Sequence, residues 1–156
     1  MTKKKLKDVN PLTIAKIVFG FSGESEFWSM ELGGYSHQFC FYGGDLIALI
    51  LPILAQVESN HNPNAIGDNG AAIGILQIHA IMVKDVNRIS GKAYTLQDRR
   101  DKAKSYEMAT IYLRHYGKPN AEYLARCFNG GPRGNEKTAT VKYWLKCQKV
   151  IKERRK

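Results

Sequence analysis

The run "LIALILPILAQVE", Leu46 to Glu58, constrains the fold more than any other segment. It is apolar nearly all round and Asp45 is placed to cap it, which predicts a helix buried on every side rather than one lying on a surface. Pro52 falls inside the run, as a kink or a late first turn. A helix of this kind needs other elements packed around it. The rest of the chain offers them: a helical stretch from near Ile73 to Ser90-Gly91, then "YEMATIYLRHY" with Ser105 as its cap and Gly117 and Pro119 as its stop. Asn120 can cap "AEYLARCF", which the turn "NGGPRG" ends, and a last helix from about Thr138 carries Val141, Trp144, Leu145, Val150 and Ile151. No alternating apolar and polar run is long enough to demand a large sheet, and no internal repeat is present. The expected class is mostly α.

The 156 residues suit one domain with a real core, and 44% apolar with 24% charged residues argues against wholesale disorder. Residues 45–151 carry the helical pattern and form the expected domain, 152–156 a basic tail, and 1–44 an N-terminal extension. The extension has a basic start, one short apolar patch and then "FWSMELGGYSHQFCFYGG", punctuated by Gly33-Gly34 and Gly43-Gly44. It either packs on the domain or serves a partner. The net charge of +10, with Lys3, Lys4, Lys5 and Lys7 at one end and Lys152, Arg154, Arg155 and Lys156 at the other, fits attraction to a polyanion or two solvated termini. A specific nucleic-acid binder is not indicated, because aromatic residues do not interleave with the basic runs.

Cys40, Cys127 and Cys147 leave at least one thiol unpaired, and they show no metal-ligand spacing with His37, His61, His79 or His115. Neither a disulfide framework nor a bound metal is expected. The segment from Pro11 to Gly23 resembles a secretion signal, but Lys16 interrupts it and no small-residue cleavage site follows, so synthesis in the cytoplasm without a signal peptide is expected. No stretch approaches the roughly 20 apolar residues of a membrane span.

Glu58 lies one helical turn after Leu54 and two after Leu51, on their apolar face. Desolvation there would raise its pKa and keep it protonated, as a general acid for glycosidic cleavage must be; a glutamate that merely reaches water from a helix end has the same spacing. Asp68, in "GDNG", is either a second carboxylate on the same cleft or a turn residue. "GAAIG" gives room for close backbone approach. Gln77 is a satisfied core amide or a sugar contact, and Asn129, in "CFNGGPRG", suits sugar hydroxyls and N-acetyl groups or simply a helix end. Tyr143, beside Trp144, presents a phenol to a buried acid or fills the core.

The order of these pieces, "ES", "NPNA", "GAAIGILQI", a helix pair, "FNGGP" and a helix with "KYW", resembles the soluble lytic transglycosylase and goose-type lysozyme superfamily over roughly Asp45 to Val150. The resemblance implies a lysozyme-like α fold without metal or organic cofactor. It also implies action on peptidoglycan glycan strands at the bacterial cell wall, at the bond between N-acetylmuramic acid and N-acetylglucosamine. In the family pattern the glutamate of "ES" is the catalytic acid, which falls on Glu58 followed by Ser59. Gly-Leu-Met-Gln falls on Gly74 to Gln77, Ala-Tyr-Asn-x-Gly on Cys127 to Gly131, and the late tyrosine that bonds the acid on Tyr143. Ser59, Gln77, Phe128, Asn129, Gly130 and Tyr143 are thereby implied as substrate-side residues.

Leu76 and Phe128 depart from that pattern. Asp68 stands where many transglycosylases carry serine, and its loop looks like that of goose-type and invertebrate-type lysozymes. A second carboxylate would serve hydrolysis, whereas Glu58 alone would serve formation of a 1,6-anhydro end. The basic surface fits anionic wall polymers, and the features together fit a phage or prophage type enzyme. The alternative is a wall-binding or assembly module that keeps the fold without catalysis.

Overall fold

The computed structural model describes residues 28–32, 35–39 and 45–154. The apolar patch from Pro11 to Gly23, both glycine pairs, Cys40 and the basic residues at either extremity, apart from Lys152 and Arg154, lie outside them. The first two segments form an antiparallel pair, β1 (Trp28–Leu32) and β2 (Tyr35–Phe39), with Trp28 opposite Phe39 and Leu32 opposite Tyr35.

The remaining chain is mostly helical. Helix α1 (Leu46–Ser59) starts where Asp45 Oδ1 accepts the Ile47 N–H at 3.1 Å. Ile50, Ile53, Leu54 and Ala55 are buried, and α1 packs against three later helices, as an all-apolar helix must. Pro52 sits within the helix rather than at its start. Left-handed Asn60 and His61 then turn the chain out of it.

The apolar run from Ile73 to Ile78 is not the start of a helix. Ile66–Gly67 (β3) and Ala72–Ile73 (β4) make a small antiparallel hairpin, and Ile73 bridges to Ile78 around a tight turn. Helix α2 begins at Ala80 and ends at Ser90, with Gly91 in the left-handed region. Ile73, Ile75, Leu76 and Ile78 are all buried, and a short run buried throughout carries no period by which helix and strand can be told apart.

A 3-10 turn, Leu96–Arg100, leads into α3 (Lys102–Tyr116). Its cap is Asp101, whose side chain accepts the Lys104 N–H at 2.9 Å. Ser105 therefore lies inside the helix, fully buried, and donates to the Arg99 carbonyl at 2.8 Å. Helix α4 (Ala121–Gly130) is capped by Asn120, which accepts the Tyr123 N–H at 2.9 Å, and α5 (Ala139–Glu153) follows a 3-10 turn at Gly134–Glu136. The turn between α4 and α5 is fastened by Arg126, which donates to Glu122, Thr140 and the carbonyls of Asn135 and Lys137 at 2.8–3.2 Å. Cys127 and Cys147 are buried free thiols. Among the described residues no helix is long and apolar enough to cross a membrane.

Candidate active site

A cleft of about 990 Å³ opens between the end of α1, the β3–β4 hairpin, α2 and the facing parts of α4 and α5. Of the residues singled out in the sequence, Glu58, Asp68, Gln77, Phe128, Asn129 and Tyr143 line it, while Ser59 and Gly130 do not.

Glu58 enters from the last turn of α1, partly buried. Its Oε1 accepts the Tyr143 hydroxyl at 2.7 Å, a contact across 85 positions of sequence. Burial pushes the Glu58 carboxyl above its ordinary 4.5. The Tyr143 hydrogen bond, which favours the ionised form, opposes that rise, Asp68 adds to it, and Lys146 and His79 oppose it. Desolvation wins, so the side chain holds its proton into less acidic solution than an exposed glutamate does. Tyr143 is itself buried, and burial together with the neighbouring Glu58 raises its pKa well above 10, so it acts as a fixed donor.

The hairpin wall is built on unusual backbone. Asp68 and Asn69 both have positive φ, 47° and 53°, a left-handed conformation that Asp and Asn adopt more readily than other non-glycine residues. Asp68 points to solvent, 70% exposed, with its Oδ2 2.9 Å from His79 Nε2. Gly74, at φ +84°, is where the backbone is tightest: a Cβ there would lie 1.8 Å from the Arg99 carbonyl oxygen. Gln77, also at positive φ, donates to the carbonyls of Ala65 and Gly74 at 3.1 and 2.9 Å and so ties the hairpin's two sides together. Ser59 performs a similar fastening. Its hydroxyl donates to the Ile75 carbonyl at 2.7 Å and accepts the Asn62 N–H at 3.0 Å, joining the end of α1 to the turn after β4.

Phe128 is buried against the core from α4, and Asn129 beside it is exposed, with its amide making no hydrogen bond among the described residues. Gly130 faces away: a Cβ there would meet Thr140 at 2.5 Å, so its smallness serves the packing of α4 on α5.

Sequence reading missed several groups that the fold brings to the cleft. His79 precedes α2 and reaches Asp68 only because the hairpin and tight turn fold back. Lys146 follows Tyr143 by one helical turn on α5, a spacing that does place both on one face. At the far end Asp85 accepts from the Tyr116 hydroxyl at 2.7 Å and from Arg88 Nη2 at 2.6 Å. Burial pushes Asp85 up, but those hydrogen bonds and the Arg88 charge outweigh it and hold the carboxyl below its ordinary 3.8. Asp85 is thus a fixed anion, opposite in character to Glu58. Among the described residues no three His, Cys, Asp or Glu side chains gather as a metal site would require.

Such a cleft, with one proton-holding carboxyl and one exposed carboxylate, is equipped to protonate a leaving oxygen and to handle a nucleophile. The crystal structure of Tapes japonica lysozyme matches this chain with a TM-score of 0.57 at 27% identity, over 65% of this chain and 87% of that one. A chain in the crystal structure of Aeromonas hydrophila PliI in complex with Meretrix lusoria lysozyme matches with a TM-score of 0.57 at 26% identity, again over 65% and 87%. No curated protein matches. The family model for the transglycosylase SLT domain matches residues 47–151, which span every helix of the cleft, and the chain belongs to that lysozyme-like family.

Proposed function

We propose that the protein cleaves peptidoglycan glycan strands at the β-1,4 bond between N-acetylmuramic acid and N-acetylglucosamine, with Glu58 as general acid. Membership of the transglycosylase SLT family and likeness to lysozymes support peptidoglycan as the substrate class. The observation that carries the assignment to Glu58 is its setting: a partly buried carboxyl, raised in pKa, fixed by the buried Tyr143 hydroxyl at 2.7 Å and open to the cleft.

In this reading Glu58 passes its proton to the glycosidic oxygen as the bond breaks, and Tyr143 keeps the carboxyl aimed. Asp68, on the hairpin wall of the same cleft, is the second carboxylate. Phe128 offers an apolar face and Asn129 a free amide for an N-acetyl group, while Ser59 and Gln77 shape the cleft through the hairpin they fasten. Residues 1–44 act as an extension outside this catalytic unit.

The test is digestion of purified peptidoglycan followed by mass spectrometry of the released fragments. Wild-type protein is expected to release them and Glu58→Gln, which keeps the shape and loses the proton, to release at least about a hundredfold fewer. Full activity in Glu58→Gln would remove Glu58 from the role. Binding without any cleavage by the wild type would instead identify a wall-binding module.

A further inference from the structure

We propose that His79 is a positioning residue for Asp68, and that the pair directs the cleaved sugar to water rather than to its own 6-hydroxyl. The inference rests on the reading of Glu58 as the acid.

Asp68 has little else to hold it. It stands in the left-handed region at φ 47°, next to Asn69 at 53°, and its side chain is 70% exposed. A carboxylate on such a tip sweeps a wide volume unless something anchored catches it. His79 is anchored. It is the N-cap of α2, its carbonyl accepts the N–H groups of Met82 and Val83 at 3.0 and 3.3 Å, and the preceding Ile78 is buried. The imidazole Nε2 meets Asp68 Oδ2 at 2.9 Å, and Asp68 Oδ1 makes no hydrogen bond among the described residues. One carboxylate oxygen is therefore fixed and the other left free, on a side chain that lines the same cleft as Glu58.

That arrangement bears on the second half of the reaction. Once Glu58 has given its proton and the C1–O bond has broken with its electron pair on the leaving oxygen, the sugar is left electron-poor at C1. A water held on Asp68 Oδ1 adds through its oxygen to C1 and yields one proton to Asp68 and then to solvent, from which Glu58 is reprotonated. One water is consumed and a reducing end results. Alternatively the 6-hydroxyl of the same sugar closes on C1 and returns its proton to Glu58, no water is consumed, and a 1,6-anhydro end results. The two routes compete for one intermediate, so the fraction of each product reports how well water is placed.

The experiment is the product ratio, by mass spectrometry of peptidoglycan digests. Wild type is expected to give mainly reducing ends. His79→Ala is expected to raise the ratio of 1,6-anhydro to reducing ends about fivefold, the effect of one hydrogen bond. His79→Gln, whose amide can donate to the same oxygen, is expected to restore it. In an Asp68→Ala background His79→Ala should change nothing further, which a merely structural role would not produce. An unchanged ratio in His79→Ala, an equal rise with and without Asp68, or a wild type that makes only 1,6-anhydro ends would each overturn the proposal. If His79→Ala fails to unfold cooperatively, His79→Phe, which keeps a ring at this half-exposed position and cannot donate, replaces it: an unchanged ratio there overturns the proposal too. Loss of all products in Glu58→Gln reports separately on the acid, so the two readings fail in different ways.

Discussion

At the scale of the residue, the site turns on how one carboxyl is solvated. Glu58 and Asp85 line the same cleft, and the fold pushes them in opposite directions. Glu58 is raised because burial outweighs the single Tyr143 hydrogen bond, whereas Asp85 is lowered because Tyr116 and Arg88 together outweigh its burial. The spacing of Glu58 after Leu51 and Leu54 made its apolar setting legible in the sequence. Its partner was not, because nothing local links Glu58 to a tyrosine 85 positions later. The raised pKa has a consequence for stability. Below 4.5 the carboxyl is protonated in both folded and unfolded chains. As pH rises past that value the unfolded chain ionises first while the folded one keeps its proton, so the folded state binds more protons and stability falls until the folded-state pKa is passed. Glu58→Gln has no proton to lose. Its melting temperature is expected to lie close to wild type in acid and to gain on it progressively above pH 4.5, then to run parallel. A gap that narrows with rising pH, measured by thermal unfolding across a pH series, would mean that burial does not dominate Glu58.

At the scale of the element, the helices were readable wherever a local chemical signal stood alone. Asp45 and Asn120 cap the helices the sequence assigned to them, and Gly117 follows the last residue of α3. Where two signals competed, reading failed. Ser105 is a good cap by type, but Asp101 lies one turn earlier and takes the position, leaving Ser105 to bond the Arg99 carbonyl from inside α3. The hairpin was hidden for a different reason. Its strands are two residues each, too short to show alternation, and the buried run that follows fits a helix equally well. Glycine is what betrays it in retrospect. Gly74, at φ +84°, brings the tight turn against the backbone of Arg99, where a Cβ would lie 1.8 Å from the carbonyl oxygen. Gly74→Ala is expected to cost roughly 3 kcal/mol through the displaced turn and the left-handed strain, read as a lower urea midpoint at unchanged slope. An exposed control exists in Gly91, also left-handed at φ +69° but with nothing near its Cβ position; alanine there should cost only about 1 kcal/mol. Equal losses at the two positions would show that conformational preference, not close approach, makes Gly74 necessary.

At the scale of the whole molecule, the architecture follows from α1. A helix without a polar face must be enclosed: Leu49 to Ala55 of α1 are buried beneath three later helices, and burial gives way toward the end that carries Glu58. The cleft is therefore where the enclosure stops, which explains why the mostly α class was legible while the cleft wall supplied by the hairpin was not. Charge is distributed by a different rule. Within the cleft, acidic Glu58, Asp68 and Asp85 face His79, Lys84, Arg88 and Lys146, and two of the three acids are paired directly. Lys84, Arg88 and Lys146 balance the three acids, so among the described residues the excess of positive charge lies outside the cleft. Exposed charges of this kind act over about a Debye length, roughly 10 Å at 0.1 M salt, and so speed encounter with a polyanion without touching the reacting bond. Cleavage of peptidoglycan that carries anionic wall polymers is accordingly expected to slow by roughly tenfold between 0.05 and 0.5 M salt, chiefly through a rise in KM. Acid extraction of those polymers should flatten the dependence while leaving cleavage at high salt unchanged. The same salt slope before and after extraction would locate the charged partner in the glycan strand itself, and would shift attention from the distributed charge to Lys84 and Lys146 at the cleft.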